Sequence, residues 1–532
     1  MRYLSTSILL LFFLAVFHSC ARRGSPTGGP KDSIPPVLVK SIPQQETVNF
    51  KENKIKIYFD EYVKFKDLKK KLVISPPQKN EPEITPLGTA SKFITIKILD
   101  TLEANTTYSF NFGNSIVDNN EENPLGNFKY VFSTGTYIDS LNVTGNVYDP
   151  TTNEMVKNID VMLYEYNESY TDSVIYKQKP RYLANTLDST VFDITNIRGG
   201  KYLLIALKDA NNNKIFEPKI DKIGFIEDTL FLPTELRYDF PIFKEIPQLK
   251  VYPPKETSKG HLIFGFEGDA SNLNIELLTP TPQNFTKEIT YETDKDTLNY
   301  WYKPFEADSL NFKVSKNDFS QEFTVKLRSS KIDTLKVQKS TSSVLHLIDT
   351  FYVETNTPIV NFNKSYIKII DKDSLPVEFN TNLSASKNKL YINFDKKEDN
   401  QYSFEILPNT LTDIFEKTND SLNFKLTTKT IEDYGNIFID ISSSINTSFI
   451  VQLLNDKNKI LRSSLIEKPQ TVAFKSLNPG NYFIRVILDE NNNGKWDTGN
   501  FLKRIQPEKI RYFNKLIELR ANWDYNETFI IN

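Results

Sequence analysis

The chain repeats itself over long distances. The stretch 200-GKYLLIALKDANNNKIFE-217 reappears without a gap as 480-GNYFIRVILDENNNGKWD-497, at a constant offset of 280 residues, the separation of Asp209 from Asp489. The match extends upstream, pairing 192-FDITNIRG-199 with 472-VAFKSLNP-479. A second, weaker pairing sets 108-YSFNFGNSIVD-118 against 402-YSFEILPNTLTD-413, then 132-FST-134 against 426-LTT-428. Repeats of this length are whole domains, not solenoid units. The order is therefore A, B, a separate middle stretch, A′ and B′.

Hydrophobic alternation assigns these domains to one class. In 55-IKIYF-59, Ile55, Ile57 and Phe59 face one way and Lys56 and Tyr58 the other, and 94-ITIKI-98 alternates likewise. This is the signature of half-buried strands. The middle stretch alternates too, as in 323-FTVKL-327. The best helical window, 66-KDLKKKLV-73, offers one or two turns. The fold class is all-β, a tandem series of sandwiches. With 532 residues the chain is long enough for three to five domains, and 38 Phe with 26 Tyr supply their interiors. The 65 basic and 67 acidic residues are mixed along the chain, which leaves no basic stripe for nucleic acid.

At the N-terminus Arg2 precedes an apolar run, Ile8 to Phe17, and then 17-FHSC-20. A run this short falls below the roughly 20 residues that span a bilayer, and reads as a signal peptide. Cys20 is the sole cysteine. After it, 21-ARRGSPTGGPKDSIPP-36 is a flexible spacer rich in Gly, Pro and Ser. Without a thiol beyond Cys20 no disulfide can form within the domains, so each depends on its own core. The expected boundaries are 1–19 signal peptide, 20–35 lipidated tether, 36–136 domain A, 137–248 domain B, 249–338 middle β-domain, 339–430 A′ and 431–532 B′.

The segments 20-CARRGSPTGGPKDSIPP-36, 59-FDEYV-63, 106-TTYSFNFGNSIVDNNEENPL-125, 131-VFSTG-135, 491-NNNGKWDTGN-500 and 520-RANWD-524 carry a resemblance. Together they resemble the lipid-anchored Ig-like proteins of Bacteroidota, whose first domain is the Ig-like sandwich also found in S-layer-type proteins. The resemblance implies lipidation at Cys20 and Ig-like sandwiches for A and A′. It implies prealbumin-like sandwiches for B and B′. It is nearly silent on activity, because a fold does not name one.

One motif points to a metal. In 488-LDENNNGKWDTGN-500, Asp489, Asn491, Asn493 and Asp497 take positions one, three, five and nine of a calcium loop, Lys495 offers its carbonyl, and Gly494 allows the turn. Asn500 stands where a closing Glu belongs, and a strand leads in where an EF-hand has a helix. The alternative is a turn held by its own Asn and Asp side chains. The earlier copy, Asp209, Asn211, Asn213 and Glu217, replaces the glycine with Lys214 and is the weaker candidate. Calcium would be structural, and no cofactor is required. The acidic 118-DNNEENP-124 reads as a solvated turn.

Catalytic signals are sparse. His18 belongs to the signal peptide, while His261 and His346 sit in apolar strand runs and read as structural. Among aromatic residues, Trp301 and Tyr302 in 300-YWYKPF-305 are the candidate glycan platform, with Trp523 second; alternate aromatics also fill sandwich cores. No phosphate-cradling glycine loop marks a nucleotide site. The expectation is a non-catalytic outer-membrane lipoprotein, anchored at Cys20, that serves as a binding or scaffold subunit with outer-membrane or envelope protein partners. A glycan-binding protein is the alternative and a hydrolase a third. The resemblance implies acidic residues soon after the cysteine in surface-exported members, and since 21-ARRG-24 has none, the periplasmic face is favoured over the cell surface.

Overall fold

The computed structural model describes residues 32–292 and 295–531. The expected signal peptide, with His18, and Cys20, the expected lipidation residue, lie outside the described residues. What is described is strand and turn almost throughout, and the all-β class is the observed one. The lysine-rich helical window supplies a single turn, Leu68–Lys71.

The chain forms two compact units. The first ends at Leu141 and takes in Thr195–Arg198. Its long strand Lys54–Phe65 pairs with Leu38–Ile42 and with Ser91–Lys97, and Ile116–Asp118 continues its far end. The facing sheet runs through Val73–Ser75, Thr107–Gly113 and Phe128–Ser133. Ile55, Ile57, Phe59, Ile94 and Ile96 point inward against Phe110, Phe112, Tyr130 and Phe132, as the alternation requires. Each such side chain contributes about 1.5–3 kcal/mol when fully buried. Tyr58 lies on the outer face, paired across the strands with Phe93.

In the second unit, strand pairing falls into four sets: within 141–241, 250–326, 337–427 and 435–531. The last three each enclose their own apolar core. In B, the strands Asp160–Glu165 and Gly200–Lys208 form the centre of a sheet completed by Tyr182–Asn185, Lys222–Phe225 and Leu230–Leu232. In B′ the same places are taken by Ser448–Asn455, Gly480–Asp489, Ile460–Ile466, Ile510–Tyr512 and Ile517–Leu519. Each copy closes its second sheet with a parallel pair: Arg237–Pro241 along Leu141–Tyr148, and Asp524–Ile531 along Gly435–Ser443.

The weaker A/A′ repeat is equally literal at atomic level. Tyr108 Oη accepts the Glu103 N–H at 2.9 Å, and Tyr402 Oη accepts the Lys397 N–H at 2.7 Å. Beside each, a threonine bridges the same corner: Thr134 Oγ1 donates to Glu103 O and accepts from Thr106 N, while Thr428 Oγ1 donates to Lys397 O and accepts from Asn400 N. These corners resemble the tyrosine corner of Ig-type sandwiches, in which a phenol satisfies backbone that the turn would leave unpaired.

Candidate functional site

The two Asx-rich loops follow the central strands Gly200–Lys208 and Gly480–Asp489, and they share most of their hydrogen bonds. Asp489 is 0% exposed, and its Oδ1 and Oδ2 accept the Asn493 and Gly494 N–H groups at 3.0 and 2.8 Å. In B, Asp209 Oδ2 accepts the Lys214 N–H at 2.7 Å. Asn493 Oδ1 accepts Lys495 N–H, as Asn213 Oδ1 accepts Ile215 N–H. The amides of Asn491 and Asn493 both donate to Asp497 Oδ2, and those of Asn211 and Asn213 both donate to Glu217 Oε2. The backbones agree as well. Asn492 and Gly494 have φ of 57° and 76°, Asn212 and Lys214 of 56° and 63°. Glycine and asparagine enter this left-handed region readily; Lys214 does so against its preference.

A carboxylate that the motif does not contain closes each loop. Glu508, buried, accepts the Glu490 and Asp497 N–H groups, both at 3.0 Å. Asp221, also buried, accepts those of Ala210 and Glu217 at 2.9 and 2.8 Å. Burial raises both acids above their ordinary range, and the amide donors offset only part of that. The twelfth loop position, Asn500, instead bridges to Ile505. Sequence reasoning missed Glu508 because it lies beyond the span of the motif.

The copies differ in what lies beneath. In B the Lys214 ammonium is 2.6 Å from Asp160 and 3.9 Å from Asp209, so this loop carries its own cation. Burial raises the Asp160 carboxyl, and Lys214 offsets only part of that. Asp209 Oδ1 is buried without a hydrogen-bond partner. At the corresponding place B′ has Ile450, packed with Ile487, Ile510 and Trp496. Among the described residues no three His, Cys, Asp or Glu side chains converge as a metal cluster. Turning over the Asn491 and Asn493 amides would aim their oxygens, in place of their nitrogens, at Asp497 and at an ion beside it.

The closing acid follows its partner by four residues in B and by eleven in B′. The additional length in B′ forms a clasp onto B, inside the same compact unit. Phe501 is 0% exposed, edge-on to Phe225 at 5.5 Å. Its N–H donates to the buried Glu245, whose carboxyl burial pushes up. Thr498 Oγ1 donates to Lys244 O at 2.7 Å and Gln506 Nε2 to Phe225 O at 2.9 Å. Arg504 pairs with Asp172 and lies 4.2 Å over the Phe501 ring. Gly499 has no substitute here, because a Cβ would come within 2.5 Å of the Phe243 ring. From the B′ sheet, Arg485 Nη1 donates to Thr151 O at 2.8 Å.

The structure corrects the glycan platform. Trp301 is 6% exposed and Tyr302 1%, so neither ring offers a face to a sugar. Trp301 stacks on His261 at 3.5 Å on one side and packs with Ile414 and Phe415 of A′; Tyr302 fills the core of the middle domain. Strand alternation puts successive residues on opposite faces, and here both faces are covered. Trp523, at 44%, keeps an exposed ring, with Arg520 5.8 Å from it.

His261 is a satisfied buried histidine. Its Nε2 lies 2.8 Å from Asn299 Oδ1, and the Asn299 amide donates to Glu292, which fixes that oxygen toward the ring. Nε2 therefore carries the proton, and Nδ1 takes the Thr257 hydroxyl at 2.7 Å. The neighbouring Ser258 donates to Asp333 and not to the histidine, so no serine–histidine relay forms. The 118–124 turn also differs from a simple solvated one. Asp118 is buried, accepting N–H groups from Asn120, Glu121, Glu122 and Asn123. Burial raises its carboxyl, and those four donors bring it below the ordinary value.

Residues 32–134 match the family described as bacterial Ig-like domain, and 428–504 match one described as an uncharacterized protein conserved in bacteria. No curated protein matches the chain. Among solved structures it is similar to surface layer protein SbsC, domains 1–6, at 10% identity, covering 92% of this chain and 68% of that one, with a TM-score of 0.15. It is also similar to BcpA, the major pilin subunit of Bacillus cereus, at 10% identity, covering 74% and 99%, with a TM-score of 0.14. TM-scores this low carry no argument about arrangement or activity.

Two outcomes are expected. Phe501→Ala empties the clasp, costs about 3–5 kcal/mol at that joint, and makes 497–508 the first site cut in limited proteolysis; an unchanged digestion pattern would refute the clasp. Burial holds His261 below its ordinary 6.5, so the unfolded chain takes up the proton first. The stability His261 contributes is full above pH 6.5 and is lost as pH falls toward the depressed value. Urea denaturation across that interval should show a shallower pH dependence in His261→Gln than in the wild type.

Proposed function

We propose that the protein is a non-catalytic component of the bacterial cell envelope: an outer-membrane lipoprotein, held through Cys20, that acts as a scaffold subunit for outer-membrane or other envelope proteins. The Ig-like match over residues 32–134 supports a structural, surface-associated class. The observation that carries the scaffold reading is the clasp. It joins B′ to B across a sequence separation of 256 residues, from Phe501 to Glu245. The three joints between B and B′ that a flexible string would leave open are thereby tied, and the second unit becomes a preorganised platform. Preorganisation lowers the ordering cost of binding a partner. Periplasmic orientation, and the lack of any need for nucleotide or nucleic acid, belong to the same reading.

Calcium at Asp489, Asn491, Asn493, Asp497 and the Lys495 carbonyl is part of this proposal as a staple, not a catalyst. Two carboxylates in such a loop correspond to dissociation constants on the order of 10⁻⁴–10⁻³ M. Millimolar calcium is expected to raise the Tm of the full chain and to leave Asp497→Ala unmoved; equal Tm values in calcium and chelator would remove the ion.

The scaffold is tested by mild detergent purification of the lipidated chain from envelopes, with mass spectrometry of what accompanies it. A stoichiometric envelope protein is expected, absent from Cys20→Ser preparations and depleted in Phe501→Ala. Recovery of the bait alone would overturn the reading.

A further inference from the structure

Domain A carries basic and apolar side chains together on its outer sheet face. Along Lys54–Phe65 the residues between the core positions point outward, and Leu38–Ile42 and Ser91–Lys97 flank them. Lys40, Ile42, Lys54, Lys56, Tyr58 and Phe93 share this face. Lys40 Nζ lies 5.2 Å over the Tyr58 ring and Lys56 Nζ 5.4 Å over Phe93, which holds both ammonium groups beside the aromatic pair. Ile42 is 54% exposed and Phe93 40%. Two carboxylates lie along the same strands. Glu83 pairs with Lys97 at 3.0 Å, and Asp60, further along its strand, accepts the Val37 N–H at 2.8 Å, with Lys92 donating to its carbonyl. Among the described residues no carboxylate forms an ion pair with Lys40, Lys54 or Lys56.

The second copy shows that the sandwich does not need these lysines. A′ keeps the aromatic pair, Tyr352 against Tyr391 with ring centroids 5.5 Å apart, at the offset of 294 residues that also relates Tyr108 to Tyr402. At that offset Ile348 and Thr350 stand for Lys54 and Lys56. Ser340, whose N–H donates to the Tyr352 carbonyl, stands where Lys40 faces Tyr58. The lysines belong to the copy that follows Cys20. From Cys20 to Leu38 is 18 positions, a reach of at most about 65 Å.

We infer that domain A lies with this face against an anionic lipid surface, Lys40, Lys54 and Lys56 meeting headgroup phosphates while Ile42 and Phe93 enter the interface between them. A lysine is a compact charge on a flexible stem, which lets the ammonium reach a phosphate while the stem covers apolar surface. The attraction fades within a Debye length, and an anchor at Cys20 holds A within reach of it. This deepens the lipoprotein reading and rests on it for the nearness of a membrane.

The test is flotation of the chain from residue 20 onward, Cys20→Ser, which keeps every described residue. The vesicles are phosphatidylcholine alone or with about 30 mol% phosphatidylglycerol. Preference for the anionic vesicles is expected, weakened about fivefold by each of Lys40→Gln, Lys54→Gln and Lys56→Gln. Salt should weaken it too, while Lys389→Gln, beside the aromatic pair of A′, leaves it unchanged. Equal partition into both vesicles, an anionic preference that survives the triple glutamine variant, or retention by polygalacturonate without vesicle binding would overturn the inference. The mass of Cys20 in the wild type reads the anchor separately: an unmodified thiol there would refute the anchor and leave the vesicle result to judge the face.

Discussion

Carboxylates buried at turns, accepting backbone N–H groups, hold this chain together where strands cannot. A sandwich must pass its chain across the ends of two sheets, and each crossing strands amide groups away from water. Asp118 gathers four of them, Asp413 accepts those of Phe415 and Lys417, and Asp489, Glu508 and Asp221 do the same in the Asx-rich loops. With no disulfide to tie these ends, such acids fix the loop geometry, and the loops in turn aim the strands. In these five acids the amide groups of the turn already occupy lone pairs of the carboxylate.

Duplication made this visible, because B and B′ reach one loop conformation by two routes. B buries an ion pair, Asp160 with Lys214, beneath its loop. B′ replaces the pair with Ile450 and a tryptophan above it. Exchanging a buried ion pair for apolar packing is often neutral or favourable, so the copies could diverge without losing the turn. In B′ the stretch between loop and closing acid is the longer of the two. Phe501, Arg504 and Gln506 occupy that stretch, and all three are spent on the joint with B.

Much of the fold could be read in advance. Alternation placed Ile55, Ile57 and Phe59 inward; the repeats gave B and B′ one fold; and the Asn-rich spacing around Gly494 marked a turn held by its own Asn and Asp side chains. Trp301 was misread because an aromatic residue on a strand looks the same in sequence whether its outer face meets solvent or a neighbouring domain. Here that face meets Phe415, more than a hundred residues away.

Sequence by itself determined which residues form strands, which faces they bury and where the chain turns, because these depend on neighbours within a few positions. Only the tertiary structure decided which acids close the loops and that Phe501 seats beside Glu245. Those outcomes depend on distance and desolvation between groups far apart in the chain, as with Arg485 and Thr151, separated by 334 positions. Local patterning carries no record of such meetings, since any exposed charge or aromatic side chain of suitable length could supply either partner.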